Sequence, residues 1–345
     1  MNQIGTDLKF ETGRSAWGDI GRTLTHVAAQ GLDGVAIRTL DELSPTLDTA
    51  FLRDVAQTAD DLGLYVEMGV GKVNPYMTAE LPRVRALGDG SYVRGMERMI
   101  EVCAEFGWTE LWTATGGFKL YPGIHFTDRF RTDADWADQL AATQVLLKRL
   151  APVLRATGCH LNLETHEEIT TFELVRLVEA VGDDVLGICL DPGNVVVRGE
   201  LPYDAVERVA PYVRSTQLRD ATLWATETGL SRLLAPCGEG VVDWHHLLKT
   251  VLAANPALRL TIEGIGEERA EMPLHLTDPA WRAGHPDLTD EDVATLRRLA
   301  TECAQRAARG ETDTLEDLRR LRDDVPAHDE FVSRSATYLR ALLTP

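Results

Sequence analysis

Four short apolar segments each finish on a side chain able to hold a hard cation. They are Leu161-Asn162-Leu163-Glu164, Gly187-Ile188-Cys189-Leu190-Asp191, Arg214-Ser215-Thr216-Gln217 and Leu260-Thr261-Ile262-Glu263. The first three ends lie 27 and then 26 residues apart, about one strand, loop and helix each time. Three carboxylates and one amide are all oxygen donors, a set that suits Mg²⁺ or Mn²⁺. Crowded together without a cation, the carboxylates would repel and raise each other's pKa values, so a divalent ion is the simplest way to keep them ionised. Taken singly, the four differ. Glu164 and Glu263 close strand-like apolar runs, whereas Asp191 opens the turn Pro192-Gly193-Asn194 and could bond its local amides. Gln217 alone is as readily an interior hydrogen-bonding residue as a ligand.

Two residues beyond Glu164 stands His166, in the loop Thr165-His166-Glu167-Glu168. A histidine there works near neutral pH and makes His166 the candidate base, with a surface-bonded loop histidine as the plain alternative. Glu263 is the alternative base. Glu167 and Glu168 read as acidic residues before a helix capped by Thr170 or Thr171. Arg219 and Asp220 suggest a local ion pair, and His245 and His246 fall in a helix start. Trp112, within the fourth strand, and Trp224, in the loop after the seventh, could stack on a ligand, as could Trp17, Phe118 and Tyr121. A core role for Trp112 is equally open. Glu67 and Lys72 are further polar candidates.

These residues need a frame that brings strand ends together. Short apolar runs at Leu8–Phe10, Gly34–Ile37, Leu64–Val70, Glu110–Thr115, His160–Glu164, Leu186–Asp191, Val213–Leu218 and Arg259–Glu263 alternate with longer helical patterns. Leu140, Val145, Leu146, Leu150 and Val153 mark one such helix. Eight strand–helix units in about 260 residues predict a (β/α)₈ barrel, whose active site lies at the carboxyl ends of its strands. A dinucleotide-binding doubly wound sheet would need G-x-G-x-x-G after the first strand, and none follows Phe10. Residues 1–265 are thus read as the barrel. Residues 266–345 are read as a helical extension, with helices near Glu291–Arg309 and Phe331–Leu343 and a solvated charged stretch at Glu311–Asp324, that caps the mouth or forms a subunit contact.

The formal charge of −19, from 54 acidic and 35 basic residues among 345, argues against a polyanionic partner such as nucleic acid. There is no apolar run long enough to span a membrane and no basic-then-apolar leader. Cys103, Cys159, Cys189, Cys237 and Cys303 are scattered without a C-x-x-C pair, so a reducing compartment, the cytoplasm, is expected.

Leu163-Glu164-Thr165-His166, Leu190-Asp191-Pro192-Gly193-Asn194, Gln217-Leu218-Arg219-Asp220, Cys237-Gly238-Glu239-Gly240-Val241-Val242-Asp243-Trp244 and Ile262-Glu263-Gly264 together resemble the xylose isomerase-like TIM barrels of sugar phosphate isomerases and epimerases. That resemblance runs over roughly residues 5–265. It implies that Glu164, Asp191, Gln217 and Glu263 bind one divalent metal, Mn²⁺ foremost with Mg²⁺ or Co²⁺ possible, and that the two glutamates act as acid and base. Asn194, Arg219, Trp112 and Trp224 would bind substrate. Ketose 3-epimerases of this family carry histidine at the positions of Gln217 and Asn194, so this chain departs from them and leans toward elimination. The Glu164–Glu168 stretch, the Asp191–Asn194 turn and the long tail also resemble the large subunits of bacterial C-glycoside deglycosidases. The chemistry implied is proton abstraction beside a carbonyl followed by β-elimination from a 3-keto sugar or 3-keto-glycoside, with a sugar isomerase or 3-epimerase using Glu164 and Glu263 as the alternative. The partner would be a small sugar or glycoside, in a homo-oligomer or a hetero-oligomer with a small subunit. A binding subunit without turnover, and a zinc endonuclease for damaged DNA, fit the charge and ligand types less well.

Overall fold

A computed structural model describes residues 2–8, 19–77, 81–116, 127–264, 270–320 and 325–344. Eight parallel strands form one sheet: β1 (Ile4–Leu8), β2 (Gly34–Ile37), β3 (Tyr65–Gly69), β4 (Glu110–Thr113), β5 (His160–Glu164), β6 (Leu186–Leu190), β7 (Val213–Thr216) and, later in the chain, β10 (Leu260–Ile262). The order is β10-β1-β2-β3-β4-β5-β6-β7. Leu218 closes the ring by giving its N–H to Thr261 O at 2.7 Å and taking that of Glu263 at 3.3 Å. The expected (β/α)₈ barrel is therefore present.

The first strand begins earlier than its apolar cluster suggested. Gly5 and Gly34 are there to admit the Tyr65 ring: a Cβ on Gly5 would sit 2.3 Å from Tyr65 Oη, and one on Gly34 2.2 Å from the ring carbons. Tyr65 Oη then meets Thr261 Oγ1 at 2.8 Å, and Thr261 donates to Glu67 at 3.0 Å. The barrel interior is thus polar, while Met68, Leu111, Leu161, Leu163 and Ile188 turn outward into the apolar layer beneath the helices. In the helix Trp136–Thr157 the buried stripe is Thr143, Leu146, Leu147, Leu150, Ala151 and Leu154. Val145, expected on it, is 54% exposed.

Between β7 and β10 the chain builds an antiparallel hairpin, β8 (Asp220–Ala225) and β9 (Leu230–Ala235), to which β11 (Met272–Leu274) adds a third strand. The sequence pattern gave no hint of it. Trp224, expected in a loop, lies on β8 with its indole N–H on Thr222 Oγ1 at 3.0 Å, packed with Leu233, Ala307 and Leu318. The helix Asp290–Ala308 runs along this hairpin, burying Leu296 and Ala300 against Leu223 and Leu230. Leu318 is buried inside the stretch read as solvated. The last helix, Val325–Leu343, places Phe331, Val332, Ala336 and Leu339 in the barrel's own core and takes the ring position beside β10 and the helix Ile20–Ala29. His26 Nε2 meets Asp329 there at 3.0 Å. No described helix is long and apolar enough to cross a membrane.

Candidate functional site

Glu164 ends β5, Asp191 follows β6 and Glu263 follows β10, which brings one carboxylate oxygen of each within 4.8 Å of the others. All three are buried. Glu164 is held from both sides: Trp112 Nε1 donates to Oε2 at 3.0 Å and Asn194 Nδ2 to Oε1 at 3.1 Å. Trp112 therefore serves here as a hydrogen-bond donor to a carboxylate, with the Lys72 ammonium 5.5 Å from its ring. Asn194, fully buried, keeps Oδ1 without a hydrogen bond among the described residues.

Arg219 does not pair with its neighbour Asp220. Its Nε lies 3.0 Å from Asp191 Oδ2, Nη2 also bonds that oxygen, and Nη2 reaches Glu263 Oε2 at 2.7 Å. Asp220 instead accepts from the backbone N–H groups of Ala221, Gly238 and Val242 and from Trp244 Nε1, fixing the Cys237–Trp244 loop. Three carboxylates and one guanidinium leave a charge of −2, which one divalent cation neutralises. The electrostatics agree. Burial, with the charges of Glu263 and Asp191, pushes Glu164 up to about 8 despite His166 and Arg219. Burial likewise pushes Asp191 up to about 6 against the pull of Arg219. An oxygen-rich, charge-deficient cradle of this kind fits a hard divalent ion.

Gln217 stands on the next strand end, its N–H bonded to Leu190 O at 2.9 Å. It lines the barrel interior with Glu67, Trp112, Cys189 and Ser215.

His166 belongs to a second cluster, His166–Glu167–Glu168. Its Nδ1 is 2.9 Å from Glu167 Oε2 and 2.5 Å from Glu168 Oε2. Glu168 also accepts from Thr115 Oγ1 at 2.5 Å. Burial alone would lower the imidazole, but the two carboxylates outweigh it and hold His166 well above the ordinary histidine range. The same pairing keeps Glu167 and Glu168 low against burial. These two glutamates are thus partners of a histidine. The helix start behind them is capped by Thr170 in a capping box with Glu173.

Trp224 lies apart, in the hairpin cluster described above. His246 stacks on Tyr203 at 3.7 Å between ring centres. Trp17, Phe118 and Tyr121 lie outside the described residues. Sequence reasoning missed Arg232 on β9, fully buried and 3.7 Å from Glu167 Oε1. The only cue was an arginine inside an apolar run, Leu230–Ala235.

The sequence profile of the xylose isomerase-like TIM barrel family matches residues 24–299. Among curated proteins, the chain is 27% identical over 208 residues to 3-oxo-isoapionate decarboxylase of Pectobacterium atrosepticum, covering 59% of this chain and 63% of that protein. It spans less than two thirds of the length of the curated relatives it matches. Among solved structures, L-ribulose 3-epimerase superposes with a TM-score of 0.58 at 16% identity, covering 99% of this chain and 95% of that one. A xylose isomerase-like TIM barrel protein from Mycobacterium smegmatis, in complex with magnesium, gives 0.57 at 16% identity over 88% and 98%. The profile match covers most of the sequence, on a barrel whose strand ends gather the acidic cradle, and the chain belongs to the xylose isomerase-like TIM barrel family.

Proposed function

We propose that the chain is a divalent-metal-dependent sugar enzyme that removes a proton beside the carbonyl of a 3-keto sugar or 3-keto-glycoside and expels the β-substituent. Glu164, Asp191 and Glu263, joined by Gln217, would hold the cation, Mn²⁺ foremost. When bound, it supplies Lewis acidity to the substrate carbonyl.

The observation that carries the reading is the clamping of His166 between Glu167 and Glu168, two residues beyond Glu164. A histidine kept charged by two carboxylates gives a proton instead of taking one, so His166 is assigned as the acid in place of the base. Expulsion of an alkoxide or phenoxide needs such a donor. Both oxygens of Glu164 already accept an N–H, which suits a ligand, and proton removal falls to Glu263. Arg219, between Asp191 and Glu263, orients that carboxylate and offers cationic charge to substrate oxygens. The net change is one C–H and one C–O bond broken, one C=C formed, and the proton delivered to the leaving group. A 3-oxo substrate is also what the name of the Pectobacterium relative describes.

The test uses p-nitrophenyl 3-keto-β-D-glucoside and Mn²⁺ in D₂O. Free p-nitrophenol with an unsaturated ketone is expected, together with solvent deuterium at the α-carbon of returned substrate. The alternative, a sugar isomerase or ketose 3-epimerase using Glu164 and Glu263 as a pair, is favoured by the epimerase fold neighbours. A product of unchanged formula would establish it and remove the lyase. A small sugar or glycoside is the partner in either case, and the assembly proposed is a homo-oligomer or a hetero-oligomer with a small subunit, in the cytoplasm.

A further inference from the structure

A cavity of about 240 Å³ lies between the start of the helix Thr171–Val181, the segment Arg198–Leu201 after β6, and the stretch His285–Asp292 of the C-terminal extension. No residue of the metal cradle or of the His166 cluster lines it. It is smaller than the roughly 300–1,000 Å³ that hold drug-sized ligands, so it suits a small one.

One wall is a buried cation. Arg198 lines the cavity yet is 3% exposed. Its Nε makes no hydrogen bond among the described residues, and Nη1 lies 3.3 Å from His285 Nε2. His285 supplies no charge in return. Its Nδ1 meets the carbonyl of Trp281 at 2.7 Å, which makes Nδ1 the donor and leaves Nε2 as the acceptor of a neutral ring. Burial, with the charges of Arg198 and Arg129, holds that imidazole far below the ordinary histidine range. The acids whose charge reaches Arg198 are Glu168, Glu173 and Glu167, and all three are engaged elsewhere. Glu173 accepts from Arg129 Nη1 at 2.8 Å, while Glu167 and Glu168 pair with His166. A buried guanidinium with an unused N–H is unfavourable unless an anion meets it.

The rest of the lining suits an anion with an apolar body. Thr170, Leu201 and Thr289 are the N-caps of the helices Thr171–Val181, Pro202–Val209 and Asp290–Ala308, so three helices begin at the cavity and turn their positive ends to it. Leu201 caps without a side-chain acceptor, which leaves the first-turn N–H groups of Tyr203 and Asp204 without an intrahelical partner. Phe172, Leu201 and Leu288 supply apolar surface, and Arg208 covers the Phe172 ring at 3.5 Å. Four carboxylates also line the cavity. Glu200 accepts the N–H of Thr171 and Asp292 that of Thr289, each at 2.8 Å, and Asp204 and Asp287 are the other two. Together they repel a second negative charge on a ligand, which favours a monoanion over a phosphate dianion. We infer that this cavity is a second binding site, separate from the metal cradle, for a small monocarboxylate with an apolar body. The carboxylate meets Arg198, whose planar fork matches it, and the body lies against Phe172 and Leu288.

Calorimetric titration of the Mn²⁺-loaded protein with isovalerate, its uncharged isostere isovaleramide and inorganic phosphate tests this. Isovalerate is expected to bind about tenfold more tightly than the amide, with that preference lost in Arg198→Met. Leu288→Trp fills the cavity and keeps the guanidinium, and it should abolish isovalerate binding even where Arg198→Met fails to fold. Equal binding of acid and amide, binding of neither, or tighter binding of phosphate overturns the inference. So does a preference that survives in Arg198→Met or Leu288→Trp. Glu164→Gln removes a cradle ligand and should leave isovalerate binding unchanged; loss there would put the carboxylate on the metal and overturn the second site. Release of p-nitrophenol reads the proposed reaction separately, so either reading can fail while the other stands.

Discussion

Glu67 gives the sharpest test of how the barrel interior is built. It projects inward from β3, 5% exposed, where Thr261 Oγ1 donates to it at 3.0 Å. Burial raises it from 4.5 to about 7, with Arg259 and Thr261 offsetting only part of the effect and Glu110 adding to it. A carboxylate whose folded pKa lies above its unfolded value favours the folded state below the unfolded value, near pH 4.5, and that contribution is lost as pH rises through about 7. Between these limits the loss is about 3 kcal/mol. Glu67→Gln keeps an acceptor for Thr261 and removes the charge. The variant should melt with the parent near pH 4.5 and above it at pH 8. For a chain of 345 residues the difference at pH 8 corresponds to about 4 °C in Tm. Paired thermal melts at half-unit pH steps measure it, and differencing the two proteins cancels every other titrating group. A variant less stable than the parent at pH 8, or an offset constant with pH, would refute the assignment of Glu67 as a buried carboxylate that resists ionisation.

Three further outcomes follow from the same geometry. Mn²⁺ at a hundredfold excess over its Kd should stabilise the folded chain by about 2.7 kcal/mol, raising Tm by about 4 °C. Glu164→Gln and Glu263→Gln should abolish that shift, and absence of a shift with Mn²⁺, Mg²⁺ and Co²⁺ alike would remove the metal site. Asn194→Ala and Trp112→Phe each delete one donor to Glu164 and should weaken metal affinity about 10–100-fold with the fold retained; unchanged affinity in both, read by titration, would mean the donors do not position the ligand. Asp220→Ala strands four donors, three of them buried, and should cost about 3 kcal/mol or more, seen as a lower denaturation midpoint. A loss under about 1 kcal/mol would show that the Cys237–Trp244 loop is held by other means.

What the sequence made legible, and what it hid, divides along one physical line. Parallel strands buried on both faces read as continuous apolar runs, as in β6, Leu186–Leu190, and the carboxylates Glu164 and Asp191 at the ends of β5 and β6 could be found by spacing. Where the inward face carries polar groups the run breaks up. Ile4-Gly5-Thr6-Asp7 does not look like a strand, because Gly5 is there for Tyr65 on β3 and Asp7 holds the N–H of Gly264 at 2.6 Å. The hairpin was hidden for the same reason. Asp220 and Arg232 both have zero exposure, and a buried charge erases the alternation that marks a strand. Glu167 and Glu168 were misread because chain proximity to a helix start imitates first-turn acids, whereas both pair with His166, and Glu168 also accepts from Thr115 on the neighbouring strand's loop. The last helix was cut off at residue 265 because adjacency in sequence is the only cue to membership of a ring. Phe331 is 1% exposed and lies in the barrel core, so the chain leaves the barrel after β10, builds the hairpin's third strand and the helix covering it, and then returns. The excursion after β10 thus packs on the hairpin that the chain built before β10, through β11 and the helix Asp290–Ala308, and ends in the helix that finishes the barrel.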